Sequence, residues 1–192
     1  MKKEGAKLIS QPIKGTIRKG ATAEETAQLK QQLQNDIKER AENVMIVDLV
    51  RNDLARSCKP GTVKVEELFG VYEFNTVQQM ISTVTGEMRD EVHFADAIKH
   101  AFPMGSMTGA PKVMVMETIE QYENFKRGLY SGAVGYIEEN TDFDFNVVIR
   151  SITYNQENNY LSFMVGGAIT TLSIPEKEYE ECLLKAKAMI EV

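Results

Sequence analysis

From Gly132 to Thr171 the chain reads as three strands in succession: Gly132–Glu138, Phe143–Tyr154 and Tyr160–Thr171. Only the polar turns Glu139-Asn140-Thr141 and Asn155-Gln156-Glu157-Asn158-Asn159 separate them. Connections this short join neighbours antiparallel, because a parallel pair needs a crossover of roughly a dozen residues or more. The helical signals lie before and after this run, without regular alternation, so the pattern predicts an α+β fold.

Thr22 and Glu25 have the spacing of a capping box. Behind them Leu29, Leu33, Ile37, Ala41, Val44 and Leu49 predict one long helix to about Leu54, stopped by Lys59-Pro60-Gly61. Residues 62–87 carry strand signals, in the alternation of Thr62 to Val65 and the β-branched run around Met80 to Thr85. A helix is expected from His93 to Phe102, ended by Pro103, and another from Pro111 to about Tyr122. Pro175 opens a last helix running to the C-terminus. Residues 1–10 read as an N-terminal tail and 11–192 as one domain.

At 192 residues the chain is long enough for one real core, and 43% hydrophobic with 26% charged residues is ordinary for a soluble protein. The net charge is -6 and Lys and Arg are scattered, which argues against nucleic acid as a ligand. No apolar run approaches the roughly 18 residues of a membrane span, and Met-Lys-Lys-Glu-Gly leads into no secretory signal. Cys58 and Cys182 lack metal-ligand spacing and read as free thiols in a reducing cytoplasm. With only His93 and His100, any metal is expected on oxygen ligands.

Two Glu-x-x-Glu pairs, Glu39/Glu42 and Glu178/Glu181, fall in helical stretches and so place two carboxylates on one helix face each. Such pairs can be solvated surface, with Glu181 and Lys185 forming an i,i+4 ion pair. Glu42, however, runs into the apolar Val44-Met45-Ile46-Val47, and a site with few carboxylates suits Mg²⁺. Lys14, between Pro12-Ile13 and Gly15-Thr16, is either an exposed turn residue or a lysine held as a nucleophile. Arg150 closes an apolar strand and either pairs with Asp144 at the surface or forms a guanidinium fork for a carboxylate. Gly105 to Lys112 is not a Walker loop, since Ala110-Pro111 stands where Gly-Lys belongs, yet it can present N–H groups at a helix start. Gly166-Gly167 permits close approach of a ligand or a neighbouring strand.

Five ordered segments together resemble the chorismate-binding enzymes: Glu42–Arg56, Lys59–Glu67, Phe102–Lys112, Arg127–Tyr136 and Pro175–Lys187. That family includes anthranilate synthase component I, aminodeoxychorismate synthase component I, isochorismate synthases and salicylate synthases. The resemblance implies part of a sandwich of antiparallel sheets flanked by helices. Pro-Ile-Lys-Gly-Thr is similar to the aminodeoxychorismate synthases, where the lysine attacks C2 of chorismate and the C4 hydroxyl leaves. Anthranilate synthases usually carry alanine there. By resemblance, Lys14 is the catalytic nucleophile, and Glu42 and Glu181 bind Mg²⁺ with Glu39 and Glu178 supporting them. Tyr130 and Arg150 hold the enolpyruvyl carboxylate, Lys185 lies near the ring carboxylate, and Gly15, Thr16, Ser106 and Gly166 contact substrate. The implied partner is a glutamine amidotransferase subunit that supplies ammonia.

Departures accompany the resemblance. Family catalytic domains are about twice this long, and the half that precedes this region carries a catalytic acid and strands of the sandwich. Its absence is expected to leave apolar edges open to self-association and the chain alone with little or no activity. Gln79 stands where many relatives have histidine, Ser106 where threonine is common, and Asn43 where histidine is frequent. The rival expectations are an anthranilate or isochorismate synthase, and a non-catalytic chorismate-binding or partner module.

Overall fold

The computed structural model describes residues 1–171 and 173–190, except the side chain of Ala188. The chain divides into two compact units, residues 1–123 with 135–145, and residues 124–134 with 146–192.

The first unit is organised around one long central strand. Its elements are β1 (Lys2–Glu4), β2 (Lys7–Ser10), β3 (Ile13–Arg18), α1 (Ala23–Asn35), α2 (Ile37–Ala55), β4 (Lys64–Glu73), β5 (Val77–Glu87), α3 (Phe94–Ala101) and α4 (Lys112–Tyr122). Strands β6 (Ala133–Ile137) and β7 (Phe143–Val147) complete a seven-stranded sheet in the order β3-β5-β2-β1-β7-β6, with β4 on the other flank of β5. β5 pairs antiparallel with β4 along its length, and with β3 and β2 in turn along its opposite edge. Both faces of β5 are covered, with Gln78, Met80, Ile81, Ser82, Val84 and Thr85 all buried. Helix α2 lays Ile46, Val47, Val50 and Leu54 on a core that includes Leu8, Val84, Ala97 and Phe143. Each of these large side chains contributes about 1.5–3 kcal/mol when fully buried. Leu33 of α1 joins Val71 and Met80 in a second cluster.

The single long helix expected from residue 22 to 54 is two helices. Asp36 is extended at φ -66°, ψ 117°, and its carboxylate accepts from the Glu39 backbone N–H, capping α2 as α1 ends. The expected tail over residues 1–10 is instead β1 and β2. Hydrophobicity missed them because each is short, yet Leu8 is fully buried and Lys3 is fixed by Asp142 at 2.9 Å.

The second unit holds the hairpin of β8 (Ile152–Asn155) and β9 (Tyr160–Phe163), paired antiparallel, and α5 (Pro175–Ile190). The strand expected over Phe143–Tyr154 is therefore interrupted: the backbone turns tightly at Val147–Ile149 and Arg150 takes φ +50°, which no ladder accommodates. The strand expected over Tyr160–Thr171 ends at Phe163.

Candidate active site

Lys14 sits at a β-bulge. In β3, Ile13 faces Ile81 and Thr16 faces Gln79, so three steps along β3 match two along β5. Bulges re-aim side chains out of a ladder, and here Lys14 and Gly15 together stand opposite the single residue Met80. Gly15 has φ +92°, a conformation side-chain-bearing residues rarely adopt. Its bare Cα face also receives Glu39 of α2: a methyl there would come 3.2 Å from Glu39 Oε2 and 3.1 Å from Leu33 Cδ1.

The bulge and α2 thus bring the first group of expected residues together. Lys14 Nζ lies 3.5 Å from Glu42 Oε2, both side chains largely buried at 20% and 15% exposure. Lys38, one turn before Glu42, reaches its other oxygen at 3.9 Å. Glu39 and Glu42 are one turn apart. Burial, then the Glu42 charge, then Asp36, push the Glu39 carboxyl above its usual range. Thr16 accepts a long hydrogen bond from Gln79 Nε2 at 3.5 Å.

Ser106 lies in the short 3₁₀ turn Gly105–Met107, whose Gly105 packs against Leu49 of α2. The stretch that follows it is pinned by Lys112 at the start of α4. Its ammonium donates to both oxygens of Asp53 on α2, at 2.9 and 2.8 Å. Burial raises the Asp53 carboxyl despite that lysine. The Lys112 ammonium at this helix start is therefore committed to an internal ion pair.

In the second unit the residues gather around Gly166. Lys185 donates to the Gly166 carbonyl at 2.9 Å and pairs with Glu181 at 2.6 Å, the i,i+4 pair the spacing allowed. The Tyr130 hydroxyl stands so close to Gly166 that a methyl there would lie 2.7 Å from it. Glu178 reaches Gly167 in the same way, at 3.3 Å. Arg150 is exposed in the bend after β7 rather than on a central strand. Within each unit the glutamates assemble two at a time: no cluster of three or more His, Cys, Asp or Glu forms among the described residues.

Sequence reasoning missed three features of the site. The Asp36-x-x-Glu39 cap starts α2 and fixes the position of Glu39, and its spacing was readable. The Lys112–Asp53 pair joins two segments 59 residues apart and left no local signal. Asn43 is fully buried against Ser82.

Residues 1–191 match the chorismate binding enzyme family. The chain belongs to that family. It is 48% identical over 181 residues to an aminodeoxychorismate synthase of Arabidopsis thaliana chloroplasts, covering 94% of this chain and 20% of that protein. Aminodeoxychorismate synthase component 1 of Bacillus subtilis is 43% identical over 188 residues, covering 97% and 39%. Anthranilate synthase component 1 of Aquifex aeolicus is 41% identical over 187 residues, covering 97% and 37%. The chain thus spans between a fifth and two fifths of the length of these relatives. Among solved structures, anthranilate synthase component I of Streptococcus pneumoniae superposes with a TM-score of 0.81 at 34% identity, over 98% of this chain and 41% of that one. The menaquinone-specific isochorismate synthase of Escherichia coli shares the fold, with a TM-score of 0.85 at 22% identity, over 98% and 42%. The α+β class holds, and no described helix is long and apolar enough to cross a membrane.

Proposed function

We propose that this chain is the C-terminal portion of an aminodeoxychorismate synthase component I. The reaction joins chorismate and ammonia, drawn from glutamine by an amidotransferase subunit, to give 4-amino-4-deoxychorismate. The observation that carries the reading is Lys14 turned out of β3 by its bulge and held beside Glu42. The ε-amine forms a bond to C2 of chorismate, the ring double bonds shift, and the C4–O bond breaks, releasing one water overall. Ammonia then bonds to C4, the double bonds shift back, and the C2–N bond breaks to return the lysine.

The donor chemistry of α2 fits Mg²⁺. Glu39 and Glu42 offer carboxylate oxygens one turn apart; burial and then the Glu42 charge raise the Glu39 carboxyl, and a divalent cation relieves such a pair. Glu42 and Glu181 would hold the ion, with Glu39 and Glu178 supporting them; bound, it would neutralise and orient the ring carboxylate of chorismate. Tyr130 and Arg150 would take the enolpyruvyl carboxylate. Lys185, Gly15, Thr16, Ser106 and Gly166 complete the contacts. Val65, Leu68 and Tyr72 are exposed on β4, at the flank of the sheet, and Phe74 just after it, which supports self-association of the chain when alone. A cytoplasmic setting fits the two free thiols.

The test is incubation with chorismate, Mg²⁺ and an ammonium salt at mildly alkaline pH, followed by chromatography and peptide mass spectrometry. The expected result is slow or no turnover by the chain alone, with Lys14 carrying the mass of chorismate less one water, and no adduct in Lys14→Ala. Anthranilate or isochorismate as product, undiminished in Lys14→Ala, would move the chain to a sister reaction.

A further inference from the structure

The first four turns of α2 bury Asn43, Ile46, Val47 and Val50, and of these Asn43 alone is polar. It is fully enclosed, its Oδ1 accepts from Ser82 Oγ at 2.6 Å, and its Nδ2 has no partner among the described residues. An apolar residue would avoid that unpaired donor, so stability alone does not account for the asparagine. Ser82 Oγ in turn accepts from the backbone N–H of Phe69 at 3.1 Å. Phe69 has φ +61° at an irregularity of β4, and its ring lies 4.6 Å beneath the Arg40 guanidinium of α2. The same stretch of β4 therefore reaches α2 twice, in the core through Ser82 of β5 and at the surface through the Phe69 ring. Glu39 directly precedes Arg40, at the surface contact, and Glu42 directly precedes Asn43, at the core contact.

A buried polar contact in an otherwise apolar stripe is a known means of fixing register. Apolar side chains tolerate small rotations of a helix, while a hydrogen bond does not. A rotation of about 20° moves a side-chain tip, some 5–6 Å from the axis, by roughly 2 Å. That is enough to break the contact of 3.5 Å between Glu42 and Lys14. We infer that Asn43 and Ser82 are positioning residues that set the rotation of α2 and so hold Glu42 opposite Lys14. The inference rests on the reading of Lys14 and Glu42 as facing site residues, but its test requires neither metal nor turnover.

The test uses a water-soluble carbodiimide, which condenses a carboxylate with a touching amine. Glu42 has two such amines, Lys14 on β3 and Lys38 on its own helix. Rotation of α2 separates the first and cannot separate the second. The ratio of the Lys14–Glu42 to the Lys38–Glu42 crosslink is read by peptide mass spectrometry in wild type, in Asn43→Leu with Ser82→Ala, and in Ser82→Cys, which keeps a donor. The double variant removes donor and acceptor together, so the helix can stay packed. The expected result is a fall in the ratio of at least five-fold in the double variant and a value within two-fold of wild type in Ser82→Cys. An unchanged ratio in the double variant overturns the inference. So does joint loss of both crosslinks with the helical signal, which would give the pair a structural role only. If the ratio behaves as expected and Lys14 forms no chorismate adduct, the positioning stands and the assigned chemistry falls.

Discussion

Gly15→Ala tests the junction between the lysine bulge and helix α2. Gly15 stands at φ +92°, and an L-residue forced to positive φ costs about 1–2 kcal/mol. The added methyl also meets Leu33 Cδ1 at 3.1 Å, Glu39 Oε2 at 3.2 Å and Glu39 Cβ at 3.3 Å. Leu33 is buried in the second core cluster and cannot swing aside, so crowding adds about 1–2 kcal/mol more. The sum, about 2–4 kcal/mol, corresponds to a melting temperature lower by roughly 5–15 °C for a chain of this size. Gly5→Ala is the matched control: it shares the positive φ, at +56°, but nothing lies within 4 Å of the new methyl. It is expected to lose about 1 kcal/mol. Urea denaturation followed by circular dichroism reads both. If the two variants lose the same stability, the contacts of Gly15 with Leu33 and Glu39 are slack, and the bulge does not fix the first glutamate.

Three further outcomes are expected. Lys112→Met leaves Asp53 nearly enclosed without its counter-charge, a loss of about 3 kcal/mol at pH 7. Because burial raises the folded Asp53 carboxyl above its unfolded value, its contribution is most favourable at low pH and is lost as pH rises through the folded value. The penalty in Lys112→Met should therefore shrink on acidification, and a pH-independent loss in urea titrations would contradict this. Glu39→Gln removes a carboxylate crowded by burial and by Glu42. It should gain a few tenths of a kcal/mol at pH 7 after solvent screening, and nothing in acid where Glu39 is already protonated, as paired melting curves would show. Cys58 is buried, with its thiol pushed up to about 11, while Cys182 is half-exposed. A disulfide reagent at pH 8 should therefore titrate one thiol in the native chain and two in denaturant.

What was legible in the sequence was local. The Glu-x-x-Glu spacing, the Pro-Ile-Lys-Gly-Thr turn and the helix starts at Thr22, Pro111 and Pro175 each depend on residues within one turn of one another. What was not legible depends on partners far along the chain. β1 and β2 are too short to signal themselves and exist because β5, some 75 residues on, pairs with Lys7 to Ser10. The break after β7 follows from the turn at Val147–Ile149 and the left-handed Arg150, which an apolar run cannot reveal. The division of α1 from α2 was legible in principle, since Asp36 and Glu39 have capping spacing, but a continuous apolar stripe across Leu33 and Ile37 outweighed it. Ile37 proves to be 85% exposed, so it never belonged to that stripe.

The two groups of candidate residues share one construction. In each, the first glutamate of the pair rests on a glycine, Glu39 on Gly15 and Glu178 on Gly167. The second is paired with a lysine, Glu42 with Lys14 and Glu181 with Lys185. A carboxylate lodged against a bare Cα has few rotamers left, so its position follows from the backbone rather than from solvent. A carboxylate held by a lysine is charge-balanced without a metal, and the acidic pair is tolerated in a half-buried setting. In both groups the glycine sets where one carboxylate stands, and the lysine balances the charge of the other. The arrangement also ranks the two groups. Lys14 and Glu42 are the more enclosed pair and are bound to the main core through α2, whereas Glu181 and Lys185 are half-exposed on α5. The cost of disturbing the glycine should therefore be greater at Gly15, where positive φ and core contacts combine, than at Gly167, where only the movable end of Glu178 and the Cys182 sulfur are near.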